Sequence, residues 1–180
     1  MRDLKGTKTE KNLWEAFAGE SQARNKYDYY AAQAKKDGYV QIKNIFEETA
    51  RNEKEHAKLW FKYLMGGKIP DTATNLKDAA AGENYEHTIM YARMRDEARE
   101  EGFDDIADRF EHVRQIEERH ETRYLKLLAN VENDRVFKAE ESILWKCDNC
   151  GFIYEGVEAP QICPACLHPR AHFERFVEAY

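Results

Sequence analysis

Two Glu-x-x-His pairs, Glu53/His56 and Glu117/His120, stand 64 positions apart, each inside a stripe of apolar residues spaced by three and four. The first stripe runs Ile42, Phe46, Thr49, Glu53, His56, Trp60, Tyr63, and the second Ile106, Phe110, Val113, Glu117, His120, Tyr124, Leu127. That spacing marks the inward face of an amphipathic helix. A carboxylate on such a face gives up its water, which is costly unless a positive charge takes its place. Two such placements at matched positions point to a shared metal site. Two further stripes supply more acids: Leu13, Phe17, Glu20, Ala23, Tyr27, Ala31, Ala34, and Leu76, Ala79, Glu83, Glu86, Met90, Met94. Solvated surface charge accounts for most of the 34 Asp and Glu residues. It accounts poorly for acids set among core positions.

The elements that must position these groups are four long helices, expected over about Thr9–Asp37, Tyr39–Met65, Thr74–Glu101 and Phe103–Asn130. Gly38, Gly66 with Gly67, and Gly102 stop three of them, with Pro70 beyond the second. At 1.5 Å per residue each helix is about 40 Å long, a length natural to a bundle. Four helices with this acid and histidine placement resemble the dimetal carboxylate four-helix bundles. The two halves also repeat. Ile42/Ile106, Phe46/Phe110, Glu47/Glu111, Glu53/Glu117, His56/His120 and Leu64/Leu128 share one offset, as do Tyr27 and Tyr91, while Glu20 meets Glu83 at an offset one shorter. The chain therefore reads as a duplicated αα-hairpin, with residues 66–73 as the crossover. The acids and histidines repeat together with the apolar frame, which favours a pseudo-symmetric site.

A net charge of −6 without a basic stripe argues against a nucleic-acid partner. No apolar run reaches the roughly 20 residues of a membrane span. The polar segment Met1–Glu10 lacks the apolar centre of a signal peptide. Together these point to the cytoplasm and to no membrane partner.

From Val131 to Ser142 the helical pattern gives way to a charged linker, dividing a domain over 1–140 from a smaller one over 141–180. The tail carries all four cysteines as Cys147-x-x-Cys150 and Cys163-x-x-Cys166. In a reducing compartment this pattern reads as metal binding before disulfide. Two such turns complete a thiolate tetrahedron. Alone, the spacing suits zinc; beside a dimetal centre, iron gains weight as a one-electron relay. Trp145, Phe152, Tyr154, Phe173 and Phe176 are expected around this site, as the minimal core of a module that needs a metal staple. His87 and His112 are expected on solvated faces. His168 and His172 are surplus to a full thiolate set.

Over essentially its whole length the chain resembles the rubrerythrins. The residues that carry the resemblance are Glu20, Glu53-Lys-Glu-His56, Glu83-Asn-Tyr-Glu86, Glu117-Glu-Arg-His120, the paired Cys turns and the closing His172-Phe173-Glu174. Leu167 departs from it, standing where rubredoxin-like second turns usually carry Gly. The resemblance implies a mainly α fold, a ferritin-like four-helix bundle followed by a small rubredoxin-like β/knuckle metal domain. It implies two non-haem irons held by Glu20, Glu53, His56, Glu83, Glu86, Glu117 and His120, and one iron held by Cys147, Cys150, Cys163 and Cys166. The implied activity is reduction of hydrogen peroxide to water, a defence against oxidative stress. Electrons would come ultimately from NAD(P)H through a redox donor protein, a rubredoxin or its reductase. His56 would exchange with Glu86 as a ligand between oxidation states. Tyr27 and Tyr91 would lie at the ligand level, able to hydrogen-bond a carboxylate or the departing oxygen, or simply serve as core aromatics. A homodimer is expected, because the Cys site of one chain would reach its partner's irons more closely than its own. Two other readings stand beside this one: a ferroxidase or iron-handling protein, and a zinc-ribbon interaction module fused to a helical bundle.

Overall fold

The computed structural model describes residues 3–179 as two compact units, residues 3–70 and 71–179. The first unit is a hairpin of α1 (Lys8–Lys36) and α2 (Val40–Leu64). The second pairs α3 (Thr72–Tyr85) and α4 (Tyr91–Glu100) with α5 (Asp104–Glu132) and continues into a small sheet. The mainly α class with a small cysteine-bearing β module is as the sequence indicates.

The hairpins turn in the same way. Gly38 and Gly102 take φ of 84° and 82°, a conformation open to glycine without steric cost. The residue after each closes the helix end, with Tyr39 N–H donating to the Ala34 carbonyl at 2.9 Å and Phe103 N–H to that of Ala98 at 2.8 Å. The repeated Gly-aromatic dipeptide is thus a repeated helix stop. At the starts, the Thr7 hydroxyl accepts from Glu10 N–H and the Asp71 carboxylate from Thr74 N–H.

The third expected helix is not one continuous helix. A π-helical turn, Glu86–Met90, separates α3 from α4, and the Tyr91 N–H donates to the Glu86 carbonyl five residues back. A π turn accommodates one extra residue. That residue is the one-position slip in the repeat: Glu20 and Tyr27 are seven apart, Glu83 and Tyr91 eight. The extra residue is absorbed without breaking the hairpin, so Tyr91 against Phe110 (6.0 Å between rings) still matches Tyr27 against Phe46 (6.0 Å).

Alanines line the tight seams (Ala31, Ala34, Ala50 and Ala57 in the first hairpin, Ala80, Ala98 and Ala107 in the second), while Ile42, Tyr63, Ile106 and Leu127 remain exposed. A two-helix layer buries only its seam, and the wider apolar face of each hairpin extends past it.

The sheet has order β2-β1-β3, all antiparallel, with β1 Lys138–Cys147, β2 Ile153–Glu158 and β3 Phe173–Arg175. The strand starts inside the segment expected to be linker, leaving only residues 133–137 between α5 and β1. Charged residues at 140 and 141 face out beside a register shift, while Phe137, Ala139 and Ile143 pack against the core. That core is Trp145, Cys147, Ala159, Cys163 and Phe173, and the Trp145 indole donates to the Gly156 carbonyl at 2.8 Å. Phe152 packs against it as expected; Tyr154 does not, its exposed ring lying instead over Gly156 of the same strand.

Candidate metal centres

Each hairpin gathers one triad. α1 supplies Glu20 and α2 supplies Glu53 and His56; α3 supplies Glu83 and α5 supplies Glu117 and His120. Within each triad the ligand-capable atoms lie within 4.8 Å of one another. The geometry repeats closely: His56 Nδ1 is 2.8 Å from Glu53 and 3.9 Å from Glu20, and His120 Nδ1 is 2.7 Å from Glu117 and 3.7 Å from Glu83. The three- and four-residue helical step puts Glu and His of each pair on one face, and the neighbouring helix brings the third acid. Side-chain exposure falls to 16% at Glu53 and 14% at Glu117, so these two acids are the most shielded of the six groups.

Burial pushes the Glu83 carboxyl above the ordinary carboxylate value, and the negative charge of Glu117 adds to it. The Tyr91 hydroxyl is likewise pushed up by burial and then by the charges of Glu86, Glu117 and Glu83. Crowded acids disfavouring their own charge are what a cation would relieve. A carboxylate and imidazole donor set suits a divalent metal such as iron, manganese or zinc. Glu86, expected in the same set, is not part of the compact triad; it opens the π turn and acts on Glu83 and Tyr91 through its charge. Tyr27 packs against Phe46 and Tyr30.

The four cysteines converge as two matching turns. Gly151 N–H donates to the Cys147 carbonyl at 2.8 Å and Leu167 N–H to that of Cys163 at 2.9 Å. Cys147 and Cys163 N–H donate in turn to the carbonyls of Phe152 and His168. Gly151 takes φ of 78°, and Leu167 reaches the same left-handed region at 63°. The leucine therefore leaves the turn geometry intact and carries the steric cost itself. Sγ of Cys147 lies 3.7 Å from that of Cys166, and Sγ of Cys150 3.7 Å from that of Cys163. A tetrahedron with metal–sulfur bonds of about 2.3 Å has edges of roughly 3.8 Å, so the thiols fit a single ion. The His168 N–H draws Cys166 down to about 6, while Cys150, despite the Phe152 N–H, is pushed up to about 12, chiefly by the Cys166 thiol. Cys147 and Cys163 are buried and Cys150 is exposed, so one edge of the site meets solvent.

Among the other histidines, His112 is exposed, and His168 packs edge-on against His172 at 4.7 Å. His87 overturns its expected placement on a solvated face. It is 9% exposed and its Nε2 lies 2.6 Å from the Glu121 carboxylate. Glu121 also accepts from Asn84 Nδ2 at 3.0 Å. A charged partner satisfies the imidazole, so a polar residue can sit on an inward face without an apolar neighbour announcing it. The signal for this constellation was the slip in the repeat, which places the extra residue between Glu83 and Tyr91.

Residues 11–128 match the family profile described as Rubrerythrin, and residues 145–174 match that of the rubrerythrin rubredoxin-like domain. A rubrerythrin of Clostridium perfringens is 51% identical, with all of both chains covered. One of Nitratidesulfovibrio vulgaris is 51% identical over 97% of each chain. A putative rubrerythrin of Methanocaldococcus jannaschii is 44% identical over 96% of this chain and 94% of that one. The family carries a diiron site and a rubredoxin-like iron site, and the triads and the four thiols are donor groups of the kinds such sites use. With two profiles in the family's order and relatives alike from end to end, the chain belongs to the rubrerythrin family of oxidoreductases.

Proposed function

We propose that the protein is a peroxidase that reduces hydrogen peroxide to water, taking up two electrons and two protons per peroxide, with electrons entering through the four-thiolate iron. The observation that carries this reading is the presence, in one chain, of two carboxylate–histidine triads and a thiolate site open to solvent on one edge. An iron pair supplies the two electrons that cleavage of an O–O bond takes. Storage or ferroxidase work would leave the thiolate site without a use.

In this reading Glu20, Glu53 and His56 with Glu83, Glu86, Glu117 and His120 hold the iron pair. Glu53 and Glu117, the most shielded of the triad acids, would be the carboxylates shared between the two ions. Glu86 serves beside Glu20, in exchange with His56. Tyr91 keeps its proton, since burial and three acids oppose ionisation, and is the hydroxyl at hand to donate to a ligand carboxylate or a departing oxygen. Cys147, Cys150, Cys163 and Cys166 hold the relay iron and receive electrons from a rubredoxin or its reductase. The protein works in the cytoplasm, where thiols stay available to metal, and as a homodimer.

The test is peroxide consumption by the iron-loaded chain with NAD(P)H, reductase and rubredoxin. One NAD(P)H should be used per peroxide, and Glu53→Ala or Glu117→Ala should abolish turnover and lower bundle iron below two per chain, leaving the ferric-thiolate colour unchanged. Iron uptake without donor-coupled peroxide loss would overturn the peroxidase reading. Unchanged iron content in both variants would overturn the bridging assignment.

A further inference from the structure

The two hairpins are alike in their triads and unlike in one place beside them. Allowing for the slip at the π turn, Asn84, His87 and Glu121 correspond to Ser21, Arg24 and Ala57 of the first hairpin. There, those three residues line an open groove of about 290 Å³ together with Phe17 and Phe61. In the second hairpin the same place is bridged: Glu121 accepts from Asn84 Nδ2 at 3.0 Å with one carboxylate oxygen and meets His87 Nε2 at 2.6 Å with the other. Asn84 lies in the last turn of α3 and His87 inside the π turn, so the carboxylate grips the chain on both sides of Glu86. Glu121 itself follows His120 on α5. The hairpin with the extra residue is the one with the bridge.

We infer that Glu121 is a positioning residue, pinning the π turn to α5 and thereby fixing where Glu86 stands relative to Glu83, Glu117 and His120. A π turn is inherently less favourable than α-helix and persists where surrounding contacts determine it. Backbone hydrogen bonding within Glu86–Met90 alone would let the extra residue migrate along the helix. Two side-chain bonds from one carboxylate, one of them to a buried imidazole, confine it. With its proton on Nε2, the His87 ring donates to the Glu121 carboxylate across this distance. The function assigned to the pinned Glu86, that of an iron ligand, rests on the reading proposed above; the pinning itself does not.

Amide hydrogen exchange and Co(II) titration of the full-length chain separate the two. Glu121→Ala should speed exchange of residues 87–91 by about tenfold, the order expected for lost hydrogen bonds to a charged group, with the amides of α1 and α2 unchanged. Glu121→Gln, which still accepts from Asn84, should recover most of that protection. Asn84→Ala, a change at an exposed residue that spares the fold, should give a smaller rise in the same segment. In the Co(II) titration, read from carboxylate-site bands apart from thiolate bands, Glu121→Ala and Glu86→Gln should each weaken one ion by a similar factor. Unchanged exchange in both Glu121→Ala and Asn84→Ala would overturn the pinning. Weaker Co(II) in Glu86→Gln but not in Glu121→Ala would overturn the positioning of Glu86. Faster exchange with neither variant altering Co(II) would uphold the pinning and sink the ligand reading alone.

Discussion

Leu167 holds a left-handed backbone conformation, φ 63°, and is 76% exposed. For an L-residue with a Cβ this region costs about 1–2 kcal/mol. Glycine escapes the cost but has a freer unfolded chain, a loss of about 0.4–1 kcal/mol relative to alanine. Leu167→Gly should thus be more stable than Leu167→Ala by about 0.5–1 kcal/mol, which reverses the usual order of the two residues. Both variants also lose the leucine side chain. Only about a quarter of it is buried, so against the ~1.5–3 kcal/mol of a fully buried leucine the loss is about 0.5 kcal/mol. Alanine should therefore fall below the parent, and glycine should match or exceed it. Guanidinium unfolding of the iron-loaded chain, followed by loss of the ferric-thiolate band, reads the order from the midpoints. If alanine equals or exceeds glycine, the left-handed backbone at Leu167 carries no net steric cost and the reasoning fails.

Two acids of the second unit should respond to neutralisation with opposite signs. Glu83 titrates above its unfolded value, so its charge opposes folding of the metal-free chain once pH rises past that value. Glu83→Gln should raise the melting temperature of the metal-free protein at neutral pH, and the gain should vanish as pH falls through 4.5. Glu111 is held well below its usual range by Arg114, Gln115 and Arg95, so its contribution is present above the unfolded value and lost as pH falls below it. Glu111→Gln should lower the melting temperature at neutral pH, with the deficit closing in acid; like signs in the two variants would contradict these environments. For electron entry, heterodimers of a Cys147→Ser, Cys150→Ser chain with a Glu53→Ala chain should recover donor-dependent peroxidase activity. Inactive heterodimers would count against transfer between chains.

The parts of the molecule legible from residue types were those in which one local rule decides the outcome. Gly38 and Gly102 stop helices because only a residue without Cβ enters the left-handed region freely, and the paired Cys turns declare a four-thiolate metal site, though not its ion, through spacing alone. The two triads followed from acids set in apolar stripes. What stayed hidden depended on partners distant in sequence. His87 reads as solvated until Glu121, 34 residues away, is known to meet it. The π turn left a visible trace, the slip between Glu20/Glu83 and Tyr27/Tyr91, but helical periodicity assumes a constant rise and cannot say where an extra residue is absorbed. The start of β1 was masked by Glu140 and Glu141, whose charge suits a linker as well as the outward edge of a strand.

The short passage between α5 and β1 has a mechanical consequence. Five residues span at most about 18 Å, and the Arg175 guanidinium, donating at 2.7 Å to the carbonyls of both Arg135 and Lys138, clasps that passage to the strand next to the thiolates. The thiolate module is thus a bracket mounted on the end of α5, with little freedom to roam as a pendant. Any redox partner that docks on its exposed cysteine edge meets a surface whose orientation was settled when the chain folded.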